Sequence, residues 1–321
     1  MTRRGALLSL AIVALLAAVP LVAERYVLSV LILVFHFAYV GQAWNVMMGY
    51  AGQLSLGHAL YIGIGAYVSA LLWLNFGVSP WIGVFAGVAA AMAVAAVIGW
   101  LGFRFGIEGV YFALLTIAFS EIARVAFDHL PFTGGAGGLF LPVTPGSGTS
   151  FWHLQGGPLL FYYVTLTLAV GATALVAWLS RSRVGFVWRA IREDPQAAEA
   201  LGVNLFAAKM QAILLSAGMT AVAGLVNAFY YRNLFPAQSF DMARSLELIL
   251  APIVGGLGTV LGPVVGAVVL TPLGEALIAA THALGFDAPG TKAVLYGVLL
   301  LAIIWFKPDG LWPWLARRLG L

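Results

Sequence analysis

The chain contains no cysteine and only three lysines among its 321 residues. Without cysteine, disulfides, thiolate metal sites and cysteine nucleophiles are excluded together. None of the lysines, Lys209, Lys292 or Lys307, follows the glycine that a phosphate-binding GxxxxGKS/T loop requires, so the chain lacks an ATP-hydrolysing motif of its own. Charge is also scarce. Charged residues make up 9% and hydrophobic ones 62% of the sequence, against roughly 25% and 45–50% in a soluble domain. Twelve acidic and 16 basic side chains cannot cover a soluble protein of this length, so lipid must. The net charge of +4 lies in short loops between apolar runs. There the positive-inside rule accounts for it without a nucleic-acid partner. No spaced His and carboxylate cluster suggests a metal, and no nucleophile, base and orienting acid can be assembled. The chain does not read as an enzyme.

What the sequence has is apolar runs of helix-spanning length. Only a helix satisfies its own backbone in lipid, and about 20 residues cross the bilayer. Residues 5–23, 26–48, 58–76, 81–103, 109–128, 159–179, 209–231, 245–256, 259–280 and 291–306 read as ten crossings of an all-α bundle. An eight-span count, merging or discarding the weakest runs, keeps the same parity. The first run follows Arg3 and Arg4 and resembles a signal peptide ending at Ala23. Its length favours an uncleaved first span, because signal-peptide cores run to about 7–15 residues. Arg181, Arg183, Arg189, Arg192 and Lys209 cluster in 180–209, and Lys307, Arg317 and Arg318 mark the C-terminus. Both clusters and both termini are therefore expected in the cytoplasm. The loop 129–158, free of Lys and Arg, is expected outside.

Two stretches interrupt the apolar rhythm: GYAGQLSLGHALYIGIGAY, Gly49 to Tyr67, and GGLGTVLGP, Gly255 to Pro263. Non-helical backbone at membrane depth is tolerated only where protein buries it or a watery cavity borders it, so paired breaks point to a translocation pathway. The alternative is close helix packing through small residues, as with Gly63, Ala66 and Ala70. In the first break Gln53, Ser55 and His58 gather three hydrogen-bonding groups beside the glycines, placed to border a passage. Among other intramembrane polar residues, His36 lies among aromatics and reads as a packed core histidine. Glu121 and Arg124 share a helix face and read as a structural pair, while Glu275 has no basic residue at helical spacing. The run Gly134 to Gly138 opens no helix with dinucleotide-binding spacing and reads as a flexible turn.

Ser180 to Ala212 is the most charged part of the chain. Pro195 suits a first helical turn and Asp194 its cap, so 196–201 should form a short helix stopped by Gly202. A short cytoplasmic helix between two spans would let a membrane subunit feel a motor protein. A solvated basic loop that only fixes topology is the alternative. The core Ala197-Ala198-Glu199-Ala200-Leu201-Gly202 resembles, in permuted order, the Glu-Ala-Ala coupling motif of ABC importer permeases. The longer run SRxGxxxRAIREDPxAAEALGVN resembles the permease family of high-affinity branched-chain amino-acid importers, the LivH/LivM type. So do Asn45 with GYAGQLSLGHALYIGIGAY, GVYFALLTIAFSEIAR, TGGAGGL, the SF at Ser239, SLELILAPIVGGLGTVLGP and the tail FKPDGLW. These seven blocks cover nearly the whole chain in order.

The resemblance implies a single permease domain over residues 1–321 in the bacterial inner membrane, working by alternating access and paired with a sister permease. It further implies two cytoplasmic ATPases that hold ATP and magnesium, an extracytoplasmic binding protein, and no cofactor on this chain. Glu193, Asp194, Pro195, Ala197, Ala198, Glu199, Ala200 and Gly202 would couple to the ATPase. Asn45, Gly49, Gly52, Gln53, Ser55, Gly57, His58, Gly255, Gly256 and Gly258 would line or shape the passage. The substrate would be branched-chain amino acids or related small acids, with urea, aromatic acids or a monosaccharide as alternatives. An ion-gradient-driven secondary transporter is the competing reading, and it would require Glu121 or Glu275.

Overall fold

A computed structural model describes residues 3–142, 150–283 and 290–319. It is all-helical apart from one short strand pair. In chain order the helices are α1 (Arg3–Ala18), α2 (Arg25–Trp44, prolonged by a π-helical turn, Asn45–Tyr50), α3 (His58–Phe76), α4 (Pro80–Arg104) and α5 (Gly109–His129). Then come α6 (Pro158–Leu179), α7 (Arg183–Glu193), α8 (Pro195–Ala200), α9 (Leu205–Tyr231) and α10 (Pro236–Ser239). The chain continues through α11 (Met242–Gly255), α12 (Gly262–Ala283), α13 (Thr291–Phe306) and α14 (Leu311–Leu319).

Among the described residues seven helices are long and apolar enough to cross a membrane: α2 with its π turn, α3, α4, α5, α6, α9 and α12. Each of the ten apolar runs in the sequence nevertheless has a helix. The other three, α1, α11 and α13, have 16, 14 and 16 residues. At ~1.5 Å per residue they reach only about 21–24 Å.

The bundle is built around α2 and α9, whose side chains are buried over most of their length. α9 packs on α3 and α4, while α2 packs on α6, α11 and α12. α4 and α5 present bulky apolar groups outward, among them Phe85, Trp100, Tyr111 and Ile122. A water-facing surface would not carry such a face, whereas lipid accepts it.

Helix packing inside the bundle uses absent side chains. A Cβ on Gly65 would lie 2.7 Å from Ala221 Cα, and one on Gly224 would lie 2.8 Å from Ala66 N, so α3 and α9 meet backbone to backbone. Gly63 leaves room for the Phe240 ring, whose Cδ1 would stand 2.6 Å from an added Cβ. The small residues of α3 are thus packing residues.

At the bundle end opposite α7 and α8, strand β1 (Leu139–Phe140) pairs antiparallel with β2 (Asn233–Leu234), Leu139 opposite Leu234. This pins the 129–158 loop to the turn after α9. Thr133 Oγ1 donates to Leu130 O (2.7 Å) and Phe127 O (2.8 Å), and Gly135–Gly137 forms a short 3₁₀ turn. The glycine run is a set of defined turns. Residues 143–149 of the expected outside loop lie beyond the described residues. The remainder of the loop docks on α4, with Ser79 Oγ donating to Trp152 O (2.7 Å) and Trp81 Nε1 to Phe151 O (2.8 Å).

We predict that Gly224→Ala, by forcing α3 and α9 apart, costs about 1–3 kcal/mol. It should lower the thermal midpoint of the purified chain in detergent. Gly171→Ala, where a Cβ meets nothing within 4 Å, should leave it unchanged.

Candidate functional site

At the first break, α2 widens into the π turn Asn45–Tyr50, residues 51–57 run without helix, and α3 restarts at His58. Every deviation from the helical ladder must find new partners for its backbone. Gly52 N donates to Met48 O (3.1 Å) and Gln53 N to Met47 O (3.0 Å). Leu56 N donates to Thr116 Oγ1 (3.1 Å) and Ser55 O accepts from Trp44 Nε1 (2.8 Å). The first turn of α3 is completed by Ala59 N donating to Ser245 Oγ (2.9 Å). Gly52 has φ +69°, the left-handed region that favours glycine. Gly57 lets the chain pass the α5 backbone, where a Cβ would lie 2.8 Å from the Thr116 carbonyl carbon.

The side chains of this break are committed to one another. His58 is fully buried, with Nε2 2.8 Å from Ser216 Oγ and Nδ1 3.2 Å from Ser55 Oγ. Ser216 Oγ donates to Ala43 O (2.7 Å), so its single proton is used and His58 Nε2 must be the donor to it. Nδ1 then accepts from Ser55. Gln53 Nε2 folds back onto Ala51 O (3.0 Å).

The second break lies between α11 and α12. Gly256 and Gly258 have φ +126° and +70°, and Thr259 Oγ1 donates to Gly256 O (2.8 Å) while accepting from Gly262 N (3.1 Å). Gly255 packs on the start of α12, where a Cβ would lie 2.9 Å from Gly266 N. Gly256 packs on the C-terminal helix, with Pro313 Cδ 2.9 Å from an added Cβ.

The two breaks meet. Asn45, fully buried, donates through Nδ2 to Thr259 O (2.9 Å) and accepts at Oδ1 from Gly258 N (2.8 Å). Gln42 Nε2 donates to Val260 O (2.6 Å). Gly49 has no side chain to hold them apart: a Cβ there would lie 2.6 Å from Gly258 N.

A third element rests on this junction. α7 buries Gly185, Trp188 and Ile191, and Trp188 Nε1 donates to Ala208 O (3.0 Å). Trp188 and Ile191 share an apolar cluster with Val46 and Tyr50 of the π turn and with Ala198 of α8. Arg192 Nη1 donates to Gly49 O. Asp194 caps α8, its Oδ1 accepting from Gln196 N (2.9 Å) and Ala197 N (3.0 Å), with Pro195 at the first helical position. Gly202, at φ +86°, ends the segment, and Asn204 caps α9. Of α8 only Ala198 is buried, whereas Glu193, Asp194, Ala197, Glu199, Ala200 and Gly202 are exposed and Leu201 is 86% exposed. The short helix thus projects with an exposed apolar residue, Leu201, at its C-terminal end.

Structure and sequence thus agree on the two breaks and the short helix. The structure adds that Asn45, Gly49, Gly52 and Gly258 converge, with Gln42, Thr259 and Arg192 around them, and that Ser216 holds His58. Gln42 carried a signal in the sequence, as an uncharged amide inside an apolar run. Arg192 carried one too, but was absorbed into the topology-setting cluster. Elsewhere Arg124 holds Glu121 through contacts of 2.5–3.0 Å and Asp128 at 3.0 Å, as a structural pair would. Lys209, 5% exposed, pairs with Glu108 at 2.5 Å, which neutralises a buried ammonium. His36 is buried beside Phe37 (ring centroids 5.8 Å apart). Among the described residues no group of three or more His, Asp or Glu could hold a metal.

Residues 26–304 match the family described as "Branched-chain amino acid transport system / permease component". The chain is 28% identical to the high-affinity branched-chain amino acid transport system permease protein LivM of Escherichia coli (strain K12), over 100% of this chain and 78% of that one. It is 27% identical to LivH of Salmonella typhimurium, over 86% and 90%. It is 23% identical to a probable LivM of Methanocaldococcus jannaschii, over 89% and 93%. No solved structure matches.

Asn45→Ala should orphan two backbone groups at the junction, at about 1–3 kcal/mol each. We expect a clear fall in thermal midpoint in detergent, against little change for Thr167→Val, which loses only an exposed bond within α6.

Proposed function

Because the chain belongs to the family of permease components of branched-chain amino acid transport systems, we propose that it moves branched-chain amino acids or related small acids across the bacterial inner membrane by alternating access, driven by ATP hydrolysed on other subunits. The observation that carries this reading is the contact of the α7–α8 arm with the first break, through Trp188, Ile191 and Arg192, and of Arg192 with Gly258 of the second. A projecting, capped helix of six residues has no role in lipid, but a movement imposed on it reaches the backbone at membrane depth directly. The exposed face from Glu193 to Gly202 is the dock for a cytoplasmic ATPase, which supplies ATP and magnesium. Two such ATPases, a sister permease and an extracytoplasmic binding protein complete the assembly, with the binding protein delivering substrate near the 129–158 loop.

In this arrangement the whole chain, 1–321, is one permease domain with ten crossings and both termini in the cytoplasm. α1, α11 and α13 cross as short spans. For α11 the non-helical residues 256–261 extend its reach, and Asn45 and Gln42 satisfy the backbone there. The breaks 49–58 and 255–262 then lie on the cytoplasmic side and form the inner part of the passage wall, with the packed His58–Ser55–Ser216 network holding the start of α3. An ion-gradient carrier would need Glu121 or Glu275, and of these Glu121 lies on the outward face of α5 and is held by Arg124.

A pull-down of the tagged chain from mild detergent tests the reading. A Walker-type ATPase should accompany the wild type and be lost when Gln196 to Leu201 is deleted. A wild-type chain that purifies alone and still moves solute under an ion gradient would contradict it. Because the chain has no cysteine, single replacements report sidedness without background. Glu199→Cys and Arg317→Cys should label only from the cytoplasm, and His153→Cys only from outside. Any reversal would overturn the topology.

A further inference from the structure

We propose that Arg192 is the positioning residue that carries the movement of α8 to both broken helices. The inference rests on the permease reading given above. Arg192 stands in the last turn of α7, three residues before Pro195. A basic residue there could serve only to suit the helix dipole or to fix topology. Its side chain does something else. Although Arg192 is exposed, its guanidinium lies back against the π turn and donates to the carbonyl of Gly49.

The surroundings are built to admit it. Gly52, at φ +69°, lies under the start of the side chain, where a Cβ would come within 3.2 Å of Arg192 Cα and 3.3 Å of its Cβ and Cγ. Gly258, at φ +70°, lies under its far end, and a Cβ there would collide with Nη1. Three glycines from two separate breaks, at 49, 52 and 258, thus form one slot for one side chain. Among the described residues no carboxylate pairs with Arg192, so its charge is directed at backbone carbonyl rather than neutralised beside it.

Apolar contacts of Trp188 and Ile191 already join the arm to the π turn. Those contacts are non-directional and allow sliding. Arg192 adds a directional, charge-assisted bond and reaches across to the second break. Displacement of α8 relative to α2 therefore pulls on Gly49 and withdraws the guanidinium from Gly258 at the same time. The neighbouring Arg189 has no such reach. It donates to Ser180 O (2.7 Å) at the end of α6 and to Gly185 O (3.2 Å) of its own helix.

The test uses the complete importer, with both ATPases, the sister permease and the binding protein, reconstituted in liposomes. Leucine uptake is measured per ATP hydrolysed. Arg192→Ala should leave ATPase co-purification intact and hydrolysis near wild type, while uptake per ATP falls by roughly tenfold, the order expected for losing a hydrogen bond to a charged group. Arg189→Ala should keep the wild-type ratio. Should Arg192→Ala fail to insert, Arg192→Lys and Arg192→Gln decide: lysine, which keeps a charged donor, should retain more coupling than glutamine. An unchanged ratio in Arg192→Ala, an equal loss in Arg189→Ala, or indistinguishable Lys and Gln variants would overturn the role of Arg192 alone. Wild type without an associated ATPase would overturn the permease reading beneath it as well.

Discussion

Peptide groups that leave a helix away from water must find partners inside the protein, and here the amide of Asn45 supplies two of them at once. Through it α11 and α12 can be interrupted at Gly256–Leu261 while the middle of the interruption remains bonded to the π turn that prolongs α2. Gln42, one turn earlier, holds Val260 in the same way. With the junction fixed, Gly49 and Gly258 can approach to a distance that no side chain would allow. The α7–α8 arm then has a defined surface to rest on. A hydrocarbon core in contact with lipid offers little hydrophobic gain for holding helices together. The junction is held instead by hydrogen bonds and close backbone approach, both of which depend on geometry.

This construction explains which parts of the molecule were legible in the sequence. The ten apolar runs correspond to helices because length and hydropathy are local properties. The run 259–280 begins as helix only at Gly262, since 256–261 are the break. The run 209–231 begins earlier, at Leu205, because Asn204 supplies a cap that hydropathy does not register. The short helix after Asp194 was readable for the converse reason: cap, proline and terminal glycine are all local signals. The meeting of the breaks was not readable. Asn45 and Gly258 are far apart in the chain, and one sequence offers no means of pairing them. The same holds for Ser216 with His58 and for the strand pair that ties the glycine turns to Asn233–Leu234.

The distribution of charge follows the same logic. Arg124 is shared by Glu121 and Asp128 along α5, and Lys209 of α9 is balanced by Glu108 in the connection from α4 to α5. These pairs make charge tolerable near lipid without requiring it to move. The arm differs from these pairs: α8 is exposed along nearly its whole length and its base rests against the π turn. A π turn is itself a local departure from the regular ladder. It is a suitable place for α2 to yield without disturbing the α2–α6 and α3–α9 packing that supports it.

The central claim is that energy enters through the arm from ATP bound elsewhere. The most direct measurement is leucine accumulation in proteoliposomes holding the full assembly, with ATP trapped on the ATPase side or replaced by an imposed proton or sodium gradient. The account predicts accumulation with ATP and none with either gradient alone. Accumulation driven by a gradient in the absence of ATP would contradict it.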